Sequence, residues 1–171
     1  MITIREESNG DLIAIRKIND KAFGRPQEGR VIDKLRESDS QVLSLVAEID
    51  NNIVGHIFYS TAVIACNNER IVGMGLAPMA VLPAYQKQGI GKLLINESLD
   101  VLKKKRVTFI IVLGHEAYYP KFGFEVASKY NIKCQWDDVP NEAFMILILD
   151  KEKMSNVHGV AKYSDQWNEA M

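Results

Sequence analysis

Apolar residues along this chain recur with two different periods, and the switches between them mark out its elements. Ile2 to Arg5 alternates as a strand does. Asp11 is a candidate N-cap before Leu12, Ile15, Ile18 and Phe23, which share one broad helical face. A second helix is predicted after Pro26, with Val31, Ile32 and Leu35 apolar and Arg30, Asp33, Lys34, Arg36 and Glu37 turned outward. The connection from Phe23 to Gly29 is a candidate lid over a substrate. Gln41 to Ile49 and Ile53 to Ile64 are β-rich and joined by Asp50-Asn51-Asn52, residues that tolerate left-handed conformations, so they read as a hairpin. A further short connection, Asn67 to Glu69, leads into Ile71 to Val81. Gly73, Gly75 and Pro78 interrupt that third strand, and because proline donates nothing to a ladder, a bulge or a strand edge is expected there, unless the three mark only a loop.

Helical spacing returns at Ile90, Leu93, Leu94, Val101 and Leu102, and the run Lys103 to Arg106 complements the dipole at that helix's end. Val107 to Leu113 is continuously apolar, as in a strand covered on both faces, and should lie parallel to Ile71 to Val81 through the helical crossover. Ala143 to Leu149 supplies a last buried strand, with Ile132 to Trp136 its expected partner. These elements predict an α/β (α+β) fold: a mixed, mostly antiparallel central sheet flanked by helices, with a bulged strand feeding a helix. One domain is expected over residues 1–150, with a polar tail, 151–171, tied to it through Tyr163 and Trp167.

Composition changes this picture little. At 171 residues and 47% apolar content the chain can build one sizeable core, and a net charge of −1 offers no field for nucleic acid or an acidic membrane. No apolar run approaches the roughly 20 residues of a membrane helix, and the polar start argues for a cytoplasmic protein. Cys66 and Cys134 form no Cys-x-x-Cys pair and His56, His115 and His158 are scattered, so no metal is expected.

The candidate chemistry begins at Val81 to Leu94, VLPAYQKQGIGKLL, which reads as strand, tight loop and helix. Helix-initial amides lack intrahelical partners, and with the positive end of the macrodipole they form an anion site. A Walker loop would follow Gly-Lys with Ser or Thr, but Leu93 stands there; a dinucleotide fingerprint needs a third glycine where Leu94 stands. What remains is Gln86-x-x-Gly89-x-Gly91, or else an ordinary strand-to-helix turn. The first resembles the pyrophosphate loop of the GCN5-related N-acetyltransferase (GNAT) superfamily, which binds acetyl-CoA.

A second stretch, Gly114 to Phe124, GHEAYYPKFGF, adds Tyr119-x-x-x-Gly123-Phe124, again similar to that superfamily. Leu76 to Pro83, Tyr118 to Phe124 and Glu142 to Met145 resemble in particular its YhbS-like bacterial subgroup, over most of residues 1–150. The resemblance implies an acetyl-CoA-dependent N-acetyltransferase acting by direct attack of a primary amine on the thioester. It implies pyrophosphate contacts from Gln86, Lys87, Gln88, Gly89, Ile90, Gly91 and Lys92, and pairing of pantetheine with the strand amides of Met79, Ala80 and Val81. Backbone near Ala80 would serve the thioester oxygen, and Tyr119 would be the general acid at the sulfur. Many superfamily members carry an Asn in a longer helix before the tyrosine; here that helix is cut short around His115 and Glu116, so no such contact is carried over.

The general base stays open among Glu48, His115 and Glu116. The acceptor, a small-molecule or protein amine, carries no recognisable code, and a homodimer is compatible with the sequence. A CoA-binding sensor that has lost turnover is the alternative.

Overall fold

The computed structural model describes all residues, Met1–Met171. It divides into two compact units, one comprising Met1–Tyr59, Ala77–Val101 and Gln166–Met171, the other Ser60–Leu76 and Leu102–Asp165. Two long strands, β3 (Asn52–Cys66) and β4 (Glu69–Val81), contribute residues to both.

In the first unit, β1 (Ile2–Glu6) pairs antiparallel with β2 (Leu43–Ile49), and β2 antiparallel with β3. The β2–β3 turn is Asp50-Asn51, with φ of 48° and 62°, the left-handed pair that a two-residue hairpin requires. The same device, Asn67 at 51° and Asn68 at 63°, joins β3 to β4 in the second unit. Asparagine tolerates this region better than most residues, so the sequence signal and the backbone agree.

Helices α1 (Leu12–Phe23) and α2 (Gln27–Ser38) bury Ile15, Ile18, Val31, Ile32 and Leu35. Asp11 stands at the N-cap of α1 as expected, but its side chain caps the preceding turn and no amide of α1. Ser8 precedes a short 3-10 turn, and the Asp11 carboxylate reaches back to the Ser8 amide at 2.7 Å while pairing with Arg5. The Arg5 guanidinium, followed by these Ser8 contacts, holds the Asp11 carboxyl well below the usual carboxylate range. Helix α3 (Ile90–Lys104) packs on β3, where Gly55 leaves room for Ile90 and Leu94: a Cβ there would lie 3.1 Å and 3.2 Å from them.

A polar chain crosses the buried side of this unit. Asn19 meets His56 Nδ1 at 3.1 Å, His56 Nε2 meets Ser44 Oγ at 2.9 Å, and Ser44 donates to Glu7, which Arg36 grips with two bonds of 2.7 Å. Burial lowers the His56 pKa to about 3 despite the Glu7 charge, so the ring is neutral and each partner's role is fixed. With Asn19 also donating to the Ile15 carbonyl, its amide donates to Nδ1 and the Nε2–H is left to donate to Ser44.

In the second unit the strand order is β3-β4-β5-β8-β6, with β5 (Phe109–Leu113) parallel to β4 and antiparallel to β8 (Phe144–Ile148). Val112, Ile111, Ile110 and Phe109 have no exposed surface, as the unbroken apolar run required. β6 (Glu125–Val126) covers part of β8's other edge. The expected partnership of Ile132 to Trp136 with the last apolar strand is corrected here. β7 (Ile132–Cys134) pairs parallel with β9 (Gly159–Tyr163), because β5 and β6 already occupy both edges of β8. β9 in turn pairs antiparallel with β3, so the polar C-terminal stretch carries a strand of the sheet. Between β8 and β9 lies a one-turn helix, α4 (Lys151–Met154), capped by the Asp150 side chain. No helix is long and apolar enough to cross a membrane.

Candidate active site

The third strand runs through Gly73, Gly75 and Pro78 without a break, but its pairing with β5 ends partway along it. The ladder between β4 and β5 has three pairs, Met74↔Ile110, Gly75↔Ile111 and Leu76↔Val112, and stops there, while β4 continues to Val81. Both glycines serve close approach. A Cβ at Gly73 would stand 2.5 Å from the Phe109 carbonyl oxygen, and one at Gly75 would stand 2.5 Å from the Tyr163 ring. Met79, Ala80 and Val81 follow, with Ala80 buried.

In the first unit, Leu82 donates to the Val54 carbonyl at 2.9 Å, and the chain makes a 3-10 turn at Pro83–Tyr85 before the loop. Two glutamines clamp that loop from within: Gln86 Nε2 donates to the Val81 carbonyl at 3.0 Å, and Gln88 Nε2 to the Ala84 carbonyl at 3.1 Å. Their side chains therefore shape the loop. Lys87 (φ 61°) and Gly89 (φ 83°) are both left-handed, which folds the backbone sharply into α3. The first helical bond runs from Leu93 N–H to the Gly89 carbonyl at 3.1 Å. The amides of Ile90, Gly91 and Lys92 thus precede the helical ladder, and the macrodipole adds roughly 0.3–1 kcal/mol for an anion placed there. Lys87 and Lys92 are exposed beside these amides. The left-handed Lys87 was not legible in the sequence, since lysine carries no preference for it.

In the second unit, β5 leads through Gly114 into a turn and a 3-10 helix, Tyr119–Phe122. The amides of Tyr118 and Tyr119 both donate to the His115 carbonyl, at 3.0 and 3.4 Å, so no longer helix forms before the tyrosine. Tyr119 is 8% exposed; its ring sits edge-on to Tyr118 at 5.2 Å and to Phe124 at 5.7 Å. Gly114 makes the seat, because a Cβ there would lie 2.2 Å from the Tyr119 ring. Burial, reinforced by Tyr118, pushes the Tyr119 pKa up to about 12, so the phenol keeps its proton through the neutral range. Tyr118 is half-buried. Its pKa is raised by the same cause.

The base candidates differ in setting. Glu48 lies on β2, where the register shifts beside Ala47, and its Oε2 is held by Arg5 Nε at 2.9 Å and Nη2 at 2.7 Å. His115 and Glu116 are exposed in the turn after β5. No group of three or more His, Cys, Asp and Glu side chains is placed to hold a metal ion.

A strand that outruns its parallel neighbour, followed by an amide-lined turn into a helix, defines a class of protein that comparison then identifies. The GNAT acetyltransferase domain model matches residues 40–126, and the chain belongs to the GNAT family. It is 30% identical to the N-acetyltransferase YhbS of Escherichia coli K12 over 166 residues, 96% of this chain and 98% of that protein. To the N-acetyltransferase YjhQ of the same organism it is 34% identical over 125 residues, 72% of this chain and 69% of the relative. The crystal structure of E. coli YhbS with CoA superposes with a TM-score of 0.89 at 29% identity, covering 98% and 92% of the two chains. A GNAT acetyltransferase of Brucella melitensis with acetyl-CoA gives 0.79 at 30% identity, covering 98% of each.

Proposed function

We propose that this protein transfers the acetyl group of acetyl-CoA to a primary amine by direct attack on the thioester. The observation that carries the reading is the loop from Gln86 to Gly91, which points the amides of Ile90, Gly91 and Lys92 out of the helical ladder, in a chain whose relatives are crystallised with CoA and acetyl-CoA. The pyrophosphate takes those amides, with Lys87 and Lys92 adding charge. Pantetheine, an extended amide-bearing chain, pairs with β4 at Met79, Ala80 and Val81 as an added strand. A neutral amine attacks the thioester carbonyl, and negative charge on its oxygen is met by backbone at Ala80. As the C–S bond breaks, the Tyr119 hydroxyl gives its proton to the departing sulfur. The attacking nitrogen also sheds a proton; Glu48, through the oxygen that Arg5 does not hold, and His115 or Glu116 are the candidates to receive it.

Calorimetry with two thioesters tests the loop assignment. Acetyl-CoA should bind, and acetyl-pantetheine, which lacks the pyrophosphate and nucleotide, should bind on the order of 100-fold more weakly, as expected when several amide and charge contacts are removed. Equal affinities would remove the loop from the site.

A further inference from the structure

Tyr163 lies outside the residues that the family model matches, yet its hydroxyl reaches the last rung of the β4–β5 ladder. It donates to the Leu76 carbonyl at 3.0 Å and lies 3.4 Å from the Ile111 carbonyl, so one phenol proton is shared between the two strands where their pairing stops. The ring is placed from several directions. Ala62 pairs with Tyr163 across β3 and β9, and the Tyr163 amide donates to Gln135 Oε1 at 2.6 Å. Trp136 stacks on the ring at 5.7 Å and 26°. Gly75 supplies the gap beneath it, since any Cβ would be 2.5 Å away. Tyr163 itself is 4% exposed, and a buried phenol aimed at two carbonyls is a strong local restraint.

We propose that Tyr163 is a positioning residue for the thioester: its hydroxyl pins the Leu76 carbonyl, where the β4–β5 ladder ends, immediately before Ala77 to Val81 in the chain. This rests on the acetyltransferase reading, in which Met79, Ala80 and Val81 hold pantetheine and the thioester oxygen. A hydrogen bond from a side chain takes over at Leu76 where strand pairing ends, and β4 departs from a fixed carbonyl instead of a frayed ladder end. The C-terminal strand, beyond the acetyltransferase domain match, thereby tunes the acyl end of the site and leaves the pyrophosphate loop alone.

The test compares Tyr163→Phe with Ser164→Ala. The second removes a hydrogen bond of the same segment, Ser164 Oγ to the Thr61 carbonyl at 2.9 Å, without touching the ladder end. With acetyl-CoA and a turned-over amine, Tyr163→Phe should lower kcat about 10-fold, while the Kd for adenosine 3′,5′-bisphosphate, a probe of the nucleotide end, stays within about twofold of the parent. Ser164→Ala should change neither. Gly75→Ala, which drives the ring away, should resemble Tyr163→Phe, and the double variant should lose little more than the worse single one. Parental kcat in Tyr163→Phe would overturn the proposal, as would an equal loss in Ser164→Ala. A parent protein that neither binds nor cleaves acetyl-CoA would instead overturn the acetyltransferase reading, and the positioning role with it.

Discussion

Tyr119→Phe is expected to lower kcat by on the order of 10- to 10⁴-fold, the span from a partial to a full general-acid contribution. Folding and CoA affinity should stay nearly unchanged, because the ring keeps its seat over Gly114 and its edge contacts with Tyr118 and Phe124. The same change at Tyr118, half-buried and one residue earlier, should do much less. The pH profile separates the two roles further. A phenol pushed up to about 12 is still protonated at pH 9, so any loss of kcat between pH 7 and pH 10 belongs to another group and should persist in Tyr119→Phe. Stopped-flow or steady-state rates with an amine for which chemistry limits turnover will show this. Equal kcat in Tyr119→Phe and the parent would leave the tyrosine a packing residue.

The loop gives the second large effect. Gly91→Val should weaken CoA binding by on the order of 100-fold, because a branched side chain would stand where backbone amides must approach the pyrophosphate. Gly91 is the better of the two glycines for this test. Gly89 has φ of 83°, so a side chain there strains the backbone whatever it does to the ligand, whereas Gly91 lies within α3 and outside the left-handed region. Calorimetry on a variant with parental thermal stability decides the matter. Unchanged affinity in folded Gly91→Val would place the pyrophosphate elsewhere.

Local chemistry was what the sequence made legible. Both hairpins could be read because Asp50-Asn51 and Asn67-Asn68 are short runs of residues that accept left-handed φ. The β5 strand could be read because four consecutive apolar residues are fully buried. The loop and Tyr119 were singled out by a family resemblance that glycine and tyrosine spacing carries within single short stretches. What escaped notice depends on partners distant in sequence. β9 was hidden because exposed Val160 and small buried Ala161 blur the alternation of Gly159–Tyr163. The need for Gly75 comes from the Tyr163 ring, and that for Gly114 from the Tyr119 ring. The pairing of β7 with β9 instead of β8 follows from β5 and β6 filling both edges of β8, which no stretch of sequence announces. The neutral His56 at the centre of a polar chain has no signature in sequence, because Asn19 comes from α1, Ser44 from β2 and Glu7 from the connection after β1.

Release of free thiol from acetyl-CoA across a panel of small primary amines and lysine-containing peptides, with mass analysis of each amine, tests the central claim most directly. The account predicts thiol release that depends on at least one amine, matched mole for mole by a product heavier by one acetyl group. CoA binding with no thiol released in the presence of any amine would contradict it and leave the protein a CoA-binding sensor.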